Sequence, residues 1–466
     1  MNAPAARHVM LPALIAAVCL GPPASGDEPA ALGPGDYCIV VSRSTRDDPA
    51  WGKVVDALLD KHRGRRPQVL VWKTTPEETV GLLAGSPPRH ACFVARPEEA
   101  SREFVATVHR LTRRLDDDPY TDVLWGILTG FDAANALTIA RQAEPLVVKR
   151  VTAGTSLAMD RVVEGEWYSE LVQNRMVRKA AGGDAVEARC PDDTTALLAA
   201  RLNDGVTDLF VTSGHATERD WQIGFSYRNG SFRSGGGRLW GLDTAGVRIP
   251  IESANPKVWL PIGNCLAGNI DGPDALALAF MNSAGVRQMI GYTVPTWFGY
   301  AGWGCLDYFV EQPGRFTLCE AFHANQHALV HRLETRAAAE DEAGLQFDRD
   351  VLAFYGDPAW EARMAGGAVQ FRQTLTEKEG VFTLDIVPLA GERSYAPVDT
   401  NGSQRGGRPI VQFLPRRLSG LKLIEGADLN PLVTDTFVLV PLPSPDSDTP
   451  LRVVFGGDSA AAPPAD

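Results

Sequence analysis

The sequence predicts an α/β fold made of two consecutive α/β units with mostly parallel sheets, followed by a small β-sandwich. Three observations support this prediction. Strand-like and helix-like segments alternate from Asp36 onward, which is the pattern of βαβ units. Two apolar runs, Asp208 to His215 and Val258 to Cys265, have the composition of parallel strands covered on both faces. After Gly366 the chain changes to short strand-like runs separated by turn residues.

The first α/β unit is assigned to residues 27–150. Short runs rich in β-branched and aromatic residues alternate there with longer amphipathic segments, so each predicted strand is followed by a helix. The predicted strands are Tyr37 to Val41, Gln68 to Trp72, His90 to Ala95 and Asp122 to Leu128, and the predicted helices are Trp51 to Arg63, Pro76 to Leu83, Glu98 to Leu115 and Asp132 to Ala143.

The second α/β unit is assigned to residues 151–364 and contains the two apolar runs. Besides those runs, strands are predicted at Leu146 to Val151 and Val286 to Tyr292, and helices at Val162 to Ala181, Thr194 to Leu202, Asp274 to Ala284 and Thr317 to His331. The Gly/Ser-rich stretch Asn229 to Arg238 predicts a flexible loop. That loop is either a lid or substrate wall, or a plain surface excursion.

The β-sandwich is assigned to residues 365–455. Its predicted strands are Val369 to Leu375, Gly380 to Val387, Pro409 to Phe413, Thr436 to Val440 and Leu451 to Phe455. The Ala/Pro-rich residues 456–466 are expected to be disordered.

The N-terminus and the charge balance bear on location and partners. Arg7 and His8 precede the apolar stretch Val9 to Leu20, which is short for a membrane span, so residues 1–26 are interpreted as a cleaved signal peptide. An N-terminal anchor is the alternative. We therefore expect a secreted, periplasmic or cell-surface protein with no integral membrane segment after cleavage. The formal net charge of -12 argues against a nucleic-acid or anionic-membrane partner.

Each apolar run ends next to a reactive side chain, His215 in one and Cys265 in the other. If the two strands are neighbours, the imidazole and the thiol lie at one edge of the sheet, where functional groups gather in open α/β folds. A histidine beside a cysteine lowers the pKa of the thiol and handles its proton, which a cysteine nucleophile requires. The alternative is a buried cysteine and an ordinary polar histidine, since free cysteine is commonly a core residue.

Four segments in order resemble the gingipain-type cysteine peptidases of the caspase and legumain group. Gly214 to Trp221 is similar to the segment around that family's catalytic histidine, and Asn264 to Asn269 to the segment around its nucleophile. Tyr120 to Ile127 resembles a strand of the family's first subdomain, and Phe354 to Ala359 the run that closes its catalytic domain. The resemblance covers Asp36 to Met364 and implies a caspase-like catalytic domain, with an immunoglobulin-like domain after it.

The resemblance also implies the site residues. His215 and Cys265 correspond to the catalytic pair, and the N–H groups of Ala216 and Cys265 to the oxyanion hole. Trp297 matches a tryptophan that walls the specificity pocket, and Asp160 lies in the segment of an acidic specificity residue. Ala216 replaces the family's glycine, and an alanine is strained in backbone conformations that only glycine adopts freely.

The chemistry needs a protein or peptide substrate and no cofactor, and the resemblance leaves room for a structural calcium ion. The activity implied is that of a cysteine peptidase, with an endopeptidase favoured. A transpeptidase using the same pair, and a non-catalytic exported binding protein with this fold, are the alternatives.

Two other features have more than one interpretation. Cys38 and Cys92 lie in strands that could be neighbours, so they either form a disulfide or remain reduced in the core. His323, His327 and His331 recur at helical spacing, which zinc sites use, but no glutamate follows His323 and the third histidine lies two turns away. A packed or solvated helix face is therefore favoured, and no metal site is assigned.

Overall fold

A computed structural model of the chain describes residues 36–336 and 339–459. The predicted signal peptide, 1–26, and residues 460–466 of the predicted tail lie outside the described residues. In the first α/β region the strands are β1 (Tyr37–Ser42), β2 (Gln68–Trp72), β3 (His90–Val94) and β4 (Leu124–Leu128). The helices there are α1 (Arg43–Asp47), α2 (Pro49–Lys61), α3 (Val80–Gly85), α4 (Arg102–Thr112) and α5 (Ala133–Ala140).

The second region is richer in strands. They are β5 (Leu146–Val148), β6 (Arg150–Ala153), β7 (Glu164–Tyr168), β8 (Arg175–Lys179), β9 (Ala185–Arg189), β10 (Leu209–Thr212), β11 (Asp220–Gln222), β12 (Ser231–Gly235), β13 (Arg238–Leu242), β14 (Arg248–Ile251), β15 (Lys257–Pro261), β16 (Val286–Tyr292), β17 (Leu352–Tyr355) and β18 (Ala362–Met364). The helices are α6 (Thr195–Asn203), α7 (Leu276–Ser283), α8 (Tyr300–Phe309), α9 (Leu318–Glu334) and α10 (Glu342–Asp348).

The C-terminal region contains strands only, apart from short 3-10 turns at Gly391–Arg393 and Ala427–Leu429. Its strands are β19 (Phe371–Lys378), β20 (Val381–Pro388), β21 (Ile410–Phe413), β22 (Leu418–Glu425), β23 (Leu432–Val433), β24 (Phe437–Val440) and β25 (Leu451–Ser459). The last strand therefore continues past residue 455, where the sequence placed the end of the sandwich.

Capping residues explain where the longer helices begin. Asp48 precedes α2, and its carboxylate accepts hydrogen bonds from the N–H groups of Ala50 and Trp51. Proline at the first position of α2 suits a helix start because its missing N–H would be unpaired there. At α9, Thr317 and Glu320 form a reciprocal capping box.

Twelve strands form one large sheet in the order β2-β1-β3-β4-β17-β16-β15-β10-β6-β7-β8-β9. Neighbours pair in parallel except at β16–β17, β7–β8 and β8–β9. Strand β17, from the second unit, pairs with β4 of the first through Tyr355 and Ile127, so the strands of both predicted units share a single sheet. The predicted α/β class, with a mostly parallel sheet, is confirmed.

The two apolar runs form adjacent strands, as predicted. β10 and β15 pair in parallel from Leu209 opposite Val258 to Thr212 opposite Pro261. Every residue of both strands is buried, which explains the apolar run that each contains. Their carboxyl ends therefore lie side by side at one edge of the sheet.

The C-terminal strands form two antiparallel sheets, one in the order β19-β20-β25-β22 and the other β21-β24-β23. Residues of both sheets share one apolar core, which confirms the predicted sandwich. The smaller sheet is buried on its second face as well. There Val411, Phe437 and Leu439 join the core of the α/β region, and Phe437 stacks on His327 with ring centroids 3.9 Å apart.

Two local predictions are wrong. The predicted helix Val162 to Ala181 is instead the antiparallel pair β7 and β8. Gly165, at φ +154, packs so tightly on β6 that a Cβ would lie 2.2 Å from the Val151 oxygen, so tertiary contact overrides helix propensity. The predicted loop Asn229 to Arg238 contains most of a β12–β13 hairpin, whose turn uses Gly236 and Gly237 at φ +55 and +70.

Cys38 and Cys92 lie on neighbouring strands but do not pair. β1 and β3 are neighbours, but Cys38 lies opposite Ala91 while Cys92 lies opposite Ile39, so the two thiols face opposite sides of the sheet. Both are free, and the disulfide alternative is wrong.

Among the helices of residues 36–336 and 339–459, none is long and apolar enough to cross a membrane.

A buried carboxylate after β17 joins the two α/β regions. Asp357 accepts a hydrogen bond from the Tyr37 hydroxyl at 2.9 Å and lies 2.7 Å from the His62 ring and 2.8 Å from Lys61 Nζ. Burial opposes ionisation of Asp357, but Lys61 and His62 outweigh it and hold the carboxyl pKa well below its usual range.

We expect Asp357→Asn to lower the free energy of unfolding by about 3 kcal/mol or more at neutral pH, because Lys61 then loses its buried partner. The native pKa is depressed, so this contribution is present above the pKa of an unfolded aspartate and is lost as the pH falls through the native pKa. Denaturant unfolding at neutral and acid pH measures both effects. The control is Asp56→Asn, whose exposed pair with Arg46 is worth less than about 1 kcal/mol. Equal losses in both variants would contradict the expectation.

Candidate active site

The side chain of Asn264 joins the loop after β15 to the end of β10 and to the histidine loop. Its Oδ1 accepts a hydrogen bond from the Thr212 hydroxyl at 2.6 Å, and its Nδ2 donates to the Gly214 carbonyl at 2.9 Å. Trp259 Nε1 donates to the same hydroxyl at 3.0 Å. Because Asn264 is fully buried, these bonds are shielded from water and fix the histidine loop against the cysteine loop.

His215 lies at the surface on the loop after β10. Its carbonyl accepts a hydrogen bond from the Gln222 N–H at 2.9 Å, and its ring packs on Phe225 with centroids 4.7 Å apart and planes at 30°. Gly214 before it has φ +92, a conformation that suits glycine. The loop therefore presents the imidazole to solvent while holding one of its faces.

Ala216 pairs with Trp221 in an isolated antiparallel bridge. The bonds of this bridge come from the N–H groups of Thr217 and Gln222, and the Ala216 N–H has no partner among the described residues. Ala216 is not one of the described residues with positive φ. The glycine-to-alanine difference therefore causes no left-handed strain, and this N–H is free to bind another acceptor.

Cys265 is half-buried, whereas the other five described cysteines are buried. The Thr296 N–H donates to Cys265 Sγ at 3.2 Å, and the Thr296 carbonyl lies 3.7 Å from the same sulfur. Within the described part of the chain, the Cys265 N–H has no hydrogen-bond partner either. Leu266, the next residue, is held at φ +59, which is uncommon for a residue with a side chain.

Sequence reasoning missed Glu170, a buried residue just after β7. Its Oε1 accepts a hydrogen bond from the Thr155 hydroxyl at 2.8 Å, and its main-chain carbonyl accepts one from the Phe225 N–H at 2.7 Å. Burial raises the carboxyl pKa, while the hydroxyls of Thr155 and Ser213 and the amide of Asn401 oppose this rise. Because β7 was predicted as part of a helix, nothing placed this carboxyl at the end of a strand.

The two predicted substrate-binding residues lie in different surroundings. Trp297 follows Thr296 directly, is 59% exposed and contacts Phe347 with ring centroids 5.5 Å apart. Asp160 is exposed on a 3-10 turn and pairs with its neighbour Arg161 at 3.3 Å. The structure therefore brings Trp297 next to a residue that contacts Cys265, but gives no contact that links Asp160 to that thiol.

His323, the first of the three α9 histidines, uses both ring nitrogens for contacts within the protein. His323 Nε2 accepts a hydrogen bond from the Trp125 N–H at 3.0 Å, and its Nδ1 lies 2.9 Å from the Cys319 carbonyl.

Elsewhere, carboxylate oxygens of Asp116, Asp118 and Asp435 lie within 4.8 Å of one another. Arg417 contacts Asp435 and lies 4.0 Å from Asp116, so it offsets part of this negative charge.

Comparison with known proteins gives matches at the level of structure. No family model and no curated protein matches the sequence. A crystal structure of the Arg-specific cysteine proteinase gingipain R is 12% identical, with a TM-score of 0.47, over 88% of this chain and 92% of that chain. A complex of the Porphyromonas gingivalis RgpB pro- and mature domains is also 12% identical, with a TM-score of 0.46, over 91% and 97%. With such values neither match establishes a family or an activity.

We expect Asn264→Ala to lower the free energy of unfolding by about 2 kcal/mol, because the Gly214 carbonyl and the Thr212 hydroxyl lose a buried partner. Denaturant titration measures the loss. The matched control is Asn282→Ala, which removes one hydrogen bond, to Gly237, from an exposed side chain. If both variants lose the same small amount, Asn264 does not hold the two loops together.

Proposed function

We propose that this protein is a cysteine peptidase in which Cys265 is the nucleophile and His215 transfers protons. The observation that carries the proposal is the parallel pairing of β10 with β15, whose adjacent ends lead to these two residues and are bridged by Asn264. Such a strand edge is where α/β folds place their functional groups. No other described cysteine is partly exposed.

In the proposed reaction, His215 accepts the thiol proton and Cys265 Sγ attacks the carbonyl carbon of a peptide bond. The tetrahedral intermediate collapses as the C–N bond breaks, and His215 returns the proton to the departing amine. Water, deprotonated by His215, then cleaves the thioester and releases the acid and the free thiol. If an amine replaces this water, the same pair performs transpeptidation.

The oxyanion of the intermediate needs donors that are not already bound. The N–H groups of Ala216 and Cys265 meet this condition among the described residues. In serine and cysteine hydrolases one such donor is worth about 2.7–4 kcal/mol of transition-state stabilisation. The Thr296 N–H, directed at the sulfur, is complementary to negative charge on it.

The substrate proposed is a protein or peptide, and the proposed location is outside the cytoplasm. Trp297 is proposed as a wall of the substrate site, because it is exposed beside Thr296. Asp160 remains a prediction from resemblance. The chemistry proposed requires no cofactor, and a structural calcium ion likewise remains a prediction.

We expect a thiol-reactive peptidyl reagent at near-neutral pH to label Cys265 selectively, because this thiol is partly exposed and adjacent to the histidine loop. Mass spectrometry of the labelled peptides measures the labelling. The five buried cysteines are internal controls and should stay unmodified in the native protein.

The dependence on His215 separates the peptidase from a non-catalytic binding protein. His215→Ala should slow labelling of Cys265 by about 100-fold, the usual scale of general acid–base assistance. His331→Ala is the matched control, since that residue lies at the C-terminal end of α9. Equal labelling rates in the wild type, His215→Ala and His331→Ala would exclude the proposed pairing of His215 with Cys265.

A further inference from the structure

One segment of the C-terminal sandwich leaves its own sheets and reaches the candidate active site. Residues 399–408 lie between β20 and β21. Their contacts fall on α8, on the loops near His215 and on those near Cys265.

The 399–408 segment is fixed to α8 by charged groups. The Asp307 carboxylate accepts hydrogen bonds from Arg405 Nε at 2.8 Å, from the Gly406 N–H at 3.0 Å and from Arg408 Nε at 2.9 Å. Arg405 also pairs with Glu311. The four charged side chains are at most 7% exposed. Removing Asp307 would leave Arg408 without its buried ion partner, and removing Arg405 would do the same to Glu311, so these pairs hold the segment in one position.

A chain of contacts leads from this segment to His215. Asn401 Nδ2 donates to the Thr155 hydroxyl at 3.2 Å, and that hydroxyl donates to Glu170 Oε1 at 2.8 Å. The Glu170 carbonyl then accepts the Phe225 N–H at 2.7 Å. The Phe225 ring lies 4.7 Å from the His215 ring. Three hydrogen bonds and one ring contact thus connect Asn401 to the His215 imidazole.

The same segment borders the cysteine loop. Gly402, at φ +107, lies so close to Trp303 that a Cβ would come within 2.4 Å of the indole ring. A Cβ at Gly263, two residues before Cys265, would lie 3.2 Å from the Trp303 ring. A Cβ at Gly299, three residues after Thr296, would lie 3.2 Å from Ser403.

We infer that the 399–408 segment is part of the catalytic site, and that Asn401 is a positioning residue for His215 through Thr155, Glu170 and Phe225. This inference rests on the proposed function. The C-terminal sandwich then contributes residues to the site and is not merely a separate domain beside it. Asn401 acts only through other residues and does not contact the reacting atoms.

The test compares two Asn401 variants with a neighbour. Asn401→Asp has the same shape but loses the amide donor to Thr155 and adds a negative charge near Glu170, whereas Asn401→Ala removes the side chain. Thr400→Ala is the matched control, because Thr400 is exposed and the structure gives it no hydrogen bond within residues 36–336 and 339–459. Thermal unfolding identifies any variant that fails to fold.

Two properties are measured, the rate at which iodoacetamide alkylates Cys265 and the NMR signals of the His215 imidazole. We expect Cys265 to be alkylated about tenfold more slowly in both Asn401 variants, because each loses a hydrogen bond to a network that contains a charged group. The rate in Asn401→Asp should be no faster than in Asn401→Ala. The imidazole signals should shift in both variants. Thr400→Ala should match the wild type in both properties. A purely structural role for Asn401 would change the unfolding temperature without moving the imidazole signals.

The outcomes distinguish the inference from the proposed function. If His215→Ala does not change the alkylation rate of Cys265, the proposed function fails. If it does, but both Asn401 variants keep the wild-type rate and imidazole signals, the inference is overturned. Hydrogen exchange of the wild type avoids substitutions altogether. A peptidyl label on Cys265 should slow amide exchange in residues 399–408, and unchanged exchange there would count against the inference.

Discussion

The candidate site depends on the buried amide of Asn264, which bridges two parallel strands at their carboxyl ends. Parallel pairing brings Thr212 opposite Pro261, but strand pairing alone leaves the following loops free to diverge. Asn264, next to Cys265, pairs with the hydroxyl of Thr212 at the end of β10 and with the Gly214 carbonyl of the histidine loop. Because an amide has both a donor and an acceptor, one side chain can meet both requirements.

The sandwich is joined to the α/β region by apolar as well as charged contacts. The β21–β24 sheet is covered on both faces, so neither region can bury its apolar surface fully without the other. Asp357 has the comparable role between the first α/β region and the end of β17. Since large apolar contacts favour cooperative unfolding, we expect the described regions to behave as one thermodynamic unit.

The sequence was sufficient for the strands and helices whose patterns are local. β10 and β15 were recognisable because both faces of each strand are buried, and α9 was predicted at Thr317 to His331, close to its observed bounds. Glu170 was missed because contact with β6 makes its neighbourhood a strand pair, which its own residues do not reveal. The role of Asn401 depends on contacts with residues about 250 positions away, and such contacts leave no local pattern.

Leu266 has a consequence for anyone who engineers this protein. A leucine at φ +59 costs about 1–3 kcal/mol relative to a relaxed backbone, and the loop keeps this conformation immediately after Cys265. Selection for heat resistance alone would therefore favour glycine or asparagine at this position, since both tolerate left-handed backbone. A library screened for thermal stability without a reactivity assay would then enrich stable variants in which the backbone next to the Cys265 thiol is no longer rigidly held.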